Sequence, residues 1–249
     1  MNYVAIFTTT LYPDPTNWRA QCALETARRA FFAGIPFVTV DSTSHPDFLT
    51  ALRKANAIIL DDESEGKPFG ACRRQALRYI IAQNLGENFF WMEPEKTSML
   101  DDLSEFCLPI IRCEADMVTP RRVRLFETYP PEQAYSESYG NLVFQIATGK
   151  AWDVFAGPVA FNMAAAEVFL KYNEDGMPRV DKWDSTIIPR IEIAATLRGI
   201  SVDTNYSHPA RQTKAEAGSP FFVHRRLEQL NNLCPQFWAE AARFNLPRS

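Results

Sequence analysis

Apolar runs alternate with polar breaks along the first hundred residues in a way that predicts strands and helices by turns. Val4 to Phe7 is a short apolar run that ends in Thr8-Thr9-Thr10, and it reads as a strand feeding a polar loop. From Asn17 to Phe32 the positions Cys22, Ala23, Ala27, Ala30 and Phe31 recur at helical spacing, and Gly34 supplies the stop. Pro36 to Val40 is a second buried strand, ending at Asp41-Ser42. Strand, helix and strand within about forty residues make a βαβ unit, which requires a parallel sheet.

The alternation continues with a helix over 46–55 and a strand over 57–60 that ends in Asp61-Asp62-Glu63. A loop with Lys67 and Gly70, a helix over 71–82 and a strand over 89–92 follow. The pattern is less regular afterwards. Helices are expected over 99–106, 132–146, 163–172, 187–197 and 222–244. A strand is expected over 110–113, another leads on from Ile200, and an alternating stretch over 154–162 breaks at Gly157-Pro158. The fold class predicted is α/β, a mostly parallel central sheet flanked by helices. No repeat or linker divides the chain, so one domain over 1–249 is expected, with a nucleotide-binding half (1–100) and an acceptor-binding half (101–249).

The stretch Asn88-Phe89-Phe90-Trp91-Met92-Glu93-Pro94-Glu95-Lys96 is the most telling. A buried strand stops abruptly at two acids and a lysine, where it would leave the core. In an open α/β sheet, ligands bind just outside the carboxyl ends of the strands. Two carboxylates there can hold a divalent cation, and a lysine beside them can meet a phosphate. A solvated surface turn is the plainer alternative.

Composition narrows the classes. The 249 residues are 46% hydrophobic and 22% charged, which is ordinary globular composition and excludes wholesale disorder. A net charge of −4 argues against nucleic-acid binding, which normally needs a basic excess. The five cysteines form no C-x-x-C pair and an odd count closes no disulfide set, so reduced thiols and a cytoplasmic setting are expected. Met1 to Phe7 lacks a basic leader region, and the charge-free stretch between Asp153 and Glu167 is too short to cross a bilayer.

The order of these segments resembles glycosyltransferases of the GT-A fold, of the broad family-2 kind. Val38-Thr39-Val40-Asp41-Ser42-Thr43 is similar to that family's second strand, whose terminal acid faces the nucleotide. Gly70-Ala71-Cys72-Arg73-Arg74-Gln75 resembles its glycine-to-helix segment, and Glu93-Pro94-Glu95 stands at the place of its Asp-x-Asp motif. Asp181-Lys182-Trp183-Asp184 resembles the acceptor-side acid segment, and His208 stands where many members place a further metal ligand. The spacings from Glu93 to Asp184 to His208 are similar to those of mannosylglycerate-synthase-like enzymes, which are retaining.

The resemblance implies a nucleotide diphosphate-sugar donor, a saccharide or small hydroxylated acceptor, and Mn²⁺ or Mg²⁺ as cofactor. It places Thr8, Asp41, Lys67 and Arg73 at the nucleotide, Glu93, Glu95 and Lys96 at the diphosphate, and Glu95 with His208 at the metal. Asp184 becomes the catalytic acid-base or positioning group. Glu in place of Asp adds a methylene, and Lys96 can take over part of a metal's role.

Two rivals stand beside this reading. A sugar-nucleotide nucleotidyltransferase needs a glycine-rich loop after the first strand, which Thr8 to Pro13 lacks. A non-catalytic nucleotide-sugar-binding protein of the same fold is the other. Trp152, Phe155, Phe161 and Trp183 are candidates for an acceptor pocket, with an ordinary core as the simpler explanation. A homo-oligomer is compatible with all of these.

Overall fold

A computed structural model describes residues 4–64, 69–172 and 184–246. In chain order the elements are β1 (Val4–Thr10), α1 (Trp18–Phe32), β2 (Phe37–Asp41), α2 (Pro46–Lys54), β3 (Ile58–Asp61), α3 (Phe69–Ala82), β4 (Asn88–Trp91), α4 (Leu103–Ile111) and β5 (Met117–Arg122). They continue with α5 (Leu125–Thr128), α6 (Pro131–Thr148), β6 (Val159–Asn162), α7 (Met163–Lys171), α8 (Asp184–Ile187), α9 (Pro189–Thr196), β7 (Gly199–Thr204), α10 (Ala210–Glu216) and α11 (Pro220–Arg243). Strand order is β3-β2-β1-β4-β6-β5-β7. The pairs β2–β3, β1–β2 and β1–β4 are parallel, and β6 runs antiparallel to both β4 and β5. The chain forms two compact units, 1–118 with 158–171, and 119–157 with 172–249.

In the first unit the strands are covered on both faces, which is why they read as continuous apolar runs rather than alternating ones. Ala5, Ile6, Val38, Val40, Phe89 and Phe90 are all sealed from solvent. Phe161 of β6 joins this core, with ring centroids 6.0 Å from Phe7, 5.7 Å from Phe89 and 4.7 Å from Phe169. That packing draws residues 158–171 back into the first unit, so the division of the chain is interleaved rather than a cut near residue 100. The predicted stop of α1 is present: Gly34 takes a φ of +68°, and Ile35 N–H donates back to Ala30 at 2.9 Å. A left-handed residue there lets the last carbonyls of the helix find donors.

One expected strand is absent. Residues 110–111 finish α4 and 112–113 form the turn after it, with Cys113 at a φ of +58°, and the strand starts at Met117. Ile110 is buried while Ile111 is exposed, so the apolar run that suggests a strand is the inner stripe of a helix end plus one outward residue. The helix expected over 187–197 is split at Ile188, where Pro189 opens α9.

The second unit is organised around α6, with α11 and α9 packed on it. Gly140 lets the elements close up, since a Cβ there would stand 2.4 Å from the Phe155 ring. Phe144 lies 5.5 Å from Phe237 and 6.0 Å from Trp152. Trp152, Phe155 and Phe161 are therefore core residues, and Trp183 lies outside the described residues. Arg122 is fully buried and saturated: Nε donates to Asp153 Oδ2 at 2.7 Å, Nη2 to Asp153 Oδ1 at 2.8 Å and Nη1 to Glu137 Oε2 at 2.6 Å. Burial would raise the Asp153 carboxyl, but the Arg122 guanidinium overrides it and holds that carboxyl below the usual carboxylate range.

Candidate active site

The first unit places its strand-end residues where a doubly wound sheet binds ligands. β1 has β2 on one side and β4 on the other, so the chain reverses its direction of travel across the sheet at the β1–β4 pair. The crevice outside such a switch point is the ligand site of open α/β sheets. Glu93, Pro94, Glu95 and Lys96 follow β4 directly, and Thr8 to Thr10 end β1.

Glu93 and Lys96 form a pair at this edge. Lys96 Nζ stands 3.1 Å from Glu93 Oε1, and both side chains keep only a small exposure, 12% and 15%. The second oxygen, Glu93 Oε2, is buried and accepts no hydrogen bond from the described residues. A buried carboxylate oxygen is costly to leave unpaired. Glu95 is held differently: Tyr12 Oη donates to its Oε2 at 3.2 Å, and Arg19 Nη1 lies 3.9 Å from Oε1. Burial first, and the Glu95 charge second, push the Tyr12 phenol well above its ordinary range.

The other donor-side residues have structural occupations. Thr8 Oγ1 donates to the Met92 carbonyl at 2.8 Å, tying the end of β1 to the turn that presents Glu93. Asp41 is nearly buried and saturated: Oδ2 accepts from Thr10 Oγ1 and Ser44 Oγ, both at 2.6 Å, and Oδ1 from Ser44 N–H at 2.7 Å. It braces the turn after β2. Arg73 lies beneath the surface of α3 with its guanidinium 4.5 Å from the Trp91 ring, at the base of the same turn. Lys67 lies outside the described residues.

Three residues at this edge escaped the sequence reading. Tyr12 and Arg19 fix Glu95, and their role follows only from their place just after β1. Asp62 directly follows β3 and accepts from Ser42 Oγ at 2.5 Å and from Ser64 N–H at 2.8 Å, with Cys72 Sγ 3.3 Å away. Burial alone would raise its carboxyl; the donated hydrogen bonds win and hold it down at about 2. Its position in an Asp-Asp-Glu strand end was the available signal.

In the second unit, Asp184 is the first residue of α8 and is buried. Its Oδ1 accepts from Ser185 N–H at 2.7 Å, and Tyr172 Oη lies 3.4 Å from Oδ2. His208 is buried with its ring against Tyr129, centroids 4.2 Å apart, and its backbone N–H donates to Thr128 Oγ1 at 3.1 Å.

Among the described residues, no group of three His, Cys, Asp or Glu side chains converges as a metal cage. A cation carried by a diphosphate needs less, since Mg²⁺-type ions take one or two carboxylates and phosphate oxygens. The open Glu93 Oε2 suits such a minimal set, and the Lys96 ammonium beside it lowers the charge the ion must supply.

Comparison with solved structures decides the fold. Glucosyl-3-phosphoglycerate synthase of M. tuberculosis superposes on all of this chain and 82% of its own, with a TM-score of 0.56 at 13% identity. The fold is GT-A. Its complex with Mn²⁺, UDP and glucosyl-3-phosphoglycerate matches over 94% of this chain and 80% of that one, TM-score 0.54 at 12% identity. The complex with Mn²⁺, UDP-glucose and phosphoglyceric acid matches over 95% and 80%, TM-score 0.52 at 12% identity. No family model and no curated protein matches the chain. No helix of the described residues is long and apolar enough to cross a membrane.

Proposed function

We propose that this chain is a glycosyltransferase that moves a sugar from a nucleoside diphosphate-sugar to a hydroxyl of a small molecule or saccharide. The observation that carries the reading is the Glu93–Lys96 pair at the β1–β4 switch point, with one buried carboxylate oxygen that accepts no hydrogen bond from the described residues. The GT-A fold supports it, as do the UDP and UDP-glucose named with the solved neighbours.

In this reading Lys96 pairs with the diphosphate as negative charge builds on the leaving oxygen, where a fixed cation is worth most. When bound, Mn²⁺ or Mg²⁺ supplies further charge neutralisation of the diphosphate, and Glu93 and Glu95 are the residues that would hold it. Tyr12 and Arg19 orient Glu95, Thr8 fixes the turn, and Asp41 shapes the nucleotide side through Ser44. Lys67 and Arg73 belong to the nucleotide side as well, Arg73 acting through Trp91. The bond from the sugar carbon to the diphosphate oxygen breaks, a bond to the acceptor oxygen forms, and the acceptor proton passes to Asp184 if configuration inverts or to the departing diphosphate oxygen if it is retained. Asp184 is the acceptor-side carboxylate, a base if configuration inverts and a positioning group if it is retained. His208 is a further candidate metal ligand.

Incubation with UDP- and GDP-sugars, with and without Mn²⁺, tests the proposal. Release of nucleoside diphosphate, accelerated by hydroxylated acceptors, is the expected result. A second reading, a binding protein without turnover, draws on Glu-Pro-Glu in place of Asp-x-Asp and on Lys96 occupying Glu93. Tight nucleotide binding with no release from any donor would favour it.

A further inference from the structure

We infer that the solvent side of α6 and α11 is the surface on which a second copy of this chain docks, each copy contributing two helices to a four-helix bundle. The spacing of α11 is the first ground. Its inner face carries Gln229, Leu233, Phe237 and Ala241, all buried in its own unit. Its outer face carries His224, Leu227, Asn231, Cys234 and Trp238, in steps of three, four, three and four. That is the seam of a heptad repeat. A helix with apolar positions on two opposite sides is one that is covered on both.

The second ground is α6. Tyr135, Tyr139, Leu142 and Ile146 follow in steps of four, three and four, and the first three are at least half exposed. Between Gln133 and Gly149 the single charged residue is Glu137, which is buried on Arg122 and Arg226. This helix therefore shows water no formal charge over four turns. Tyr139 joins the α11 seam in one groove of about 830 Å³, lined also by Leu227, Asn231, Cys234 and Trp238. Phe126, 61% exposed, extends the patch by stacking edge-on against Tyr135 at 5.4 Å.

Area and charge choose the occupant. Tyr135, Tyr139, Leu142, Leu227, Trp238 and Phe126 are 37–70% exposed. At about 200 Å² for a large side chain they present roughly 700 Å², near the ~800 Å² per partner of a stable interface. The groove's one formal charge is Glu228, so the face is close to neutral and offers little to a strongly charged partner. Asn231 sits at the centre of the seam. Pro235 has no N–H to donate to the Asn231 carbonyl four residues earlier. A twofold axis through Asn231 brings two side-chain amides, each donor and acceptor, face to face. A central seam Asn fixes register and strand number in coiled coils.

Sedimentation equilibrium of the full chain from 1 to 100 µM tests the proposal. The expected mass is twice the 28.3 kDa of one chain. Leu227→Glu combined with Tyr139→Glu returns it to one chain, with an unchanged far-ultraviolet circular dichroism spectrum, because both side chains lie outside the unit's own core. Phe32→Glu, at an apolar residue 84% exposed elsewhere, leaves the dimer intact. An antiparallel seam also sets residue 227 against residues 234–235 of the copy. Leu227→Cys in a Cys113→Ser background therefore crosslinks to Cys234 on oxidation, giving a double-mass band without reductant. A single-chain mass at 100 µM overturns the proposal. So does a dimer that survives the double substitution, a dimer lost with Phe32→Glu, or a mixed assembly with another protein only.

Discussion

Two ion pairs, one in each unit, look alike in a list of contacts and differ in what they leave unsatisfied. Arg122 in the second unit spends its donors on Asp153 and Glu137, and Asn141 and Gln133 each donate a further hydrogen bond to these carboxylates at 2.8 Å. Lys96 in the first unit meets one oxygen of Glu93 and leaves the other buried, with no partner among the described residues. A saturated network fixes a unique packing. A half-satisfied carboxylate at a strand-end crevice is what the proposed function requires, since it retains an oxygen for a ligand atom. On the proposed function, this difference separates structural from functional charge better than burial does, because the fully buried Arg122 group is the structural one.

The largest effect that could break this comparison is on stability. Arg122→Met strands two buried carboxylates and is expected to cost about 3–5 kcal/mol in urea unfolding. Arg121→Met, one residue away, removes only an exposed pair with Asp203 and is expected to cost about 0–1 kcal/mol. Comparable losses at the two positions would remove the distinction. Lys96→Ala is expected to behave in the opposite sense, losing about 1.5–3 kcal/mol of nucleoside diphosphate affinity, roughly 10- to 150-fold, while its melting temperature moves little. Gly140→Ala tests the packing of the second unit, since its Cβ meets the Phe155 ring at 2.4 Å; overpacking of this kind costs about 1–3 kcal/mol, readable by thermal unfolding.

The smallest effect concerns pH. Asp62 is held at about 2 in the folded chain, below the ~3.9 of an unfolded Asp. A depressed folded value stabilises above the unfolded one and is lost as pH falls through the folded one. Its contribution therefore fades between about pH 4 and 2. Asp62→Ala is expected to flatten the acid limb of stability in that window, and an unchanged limb would show that the Ser42 and Ser64 hydrogen bonds contribute nothing there.

The sequence made the first unit legible because its elements are local. Each strand there is a compact apolar run, and each ends at a polar residue that the parallel topology gathers on one edge. That is why the strand-end positions of Glu93, Lys96 and Asp41 could be named in advance. Their partners were less visible. Lys96 is three residues from Glu93, but Tyr12 reaches Glu95 across 83 positions and no local pattern announces that. The same holds for Arg122, whose partners stand 15 and 31 residues away. Residues 110–113 show the limit of apolar runs as a signal, since a helix end and a strand of four residues look the same. The outward seam of α11 was present in the sequence as a three-four spacing, but it became meaningful only once the opposite face was seen to be buried.

The central claim is that the Glu93–Lys96 edge of the first unit holds a nucleoside diphosphate. Isothermal titration of UDP and GDP into the wild-type chain and into Lys96→Ala and Glu93→Gln, each with and without Mn²⁺, tests it most directly. The account predicts saturable binding of at least one nucleotide by the wild type, weakened at least tenfold by Lys96→Ala, with the Mn²⁺ enhancement lost in Glu93→Gln. No binding of either nucleotide at millimolar concentration, or binding indifferent to both substitutions, would contradict it.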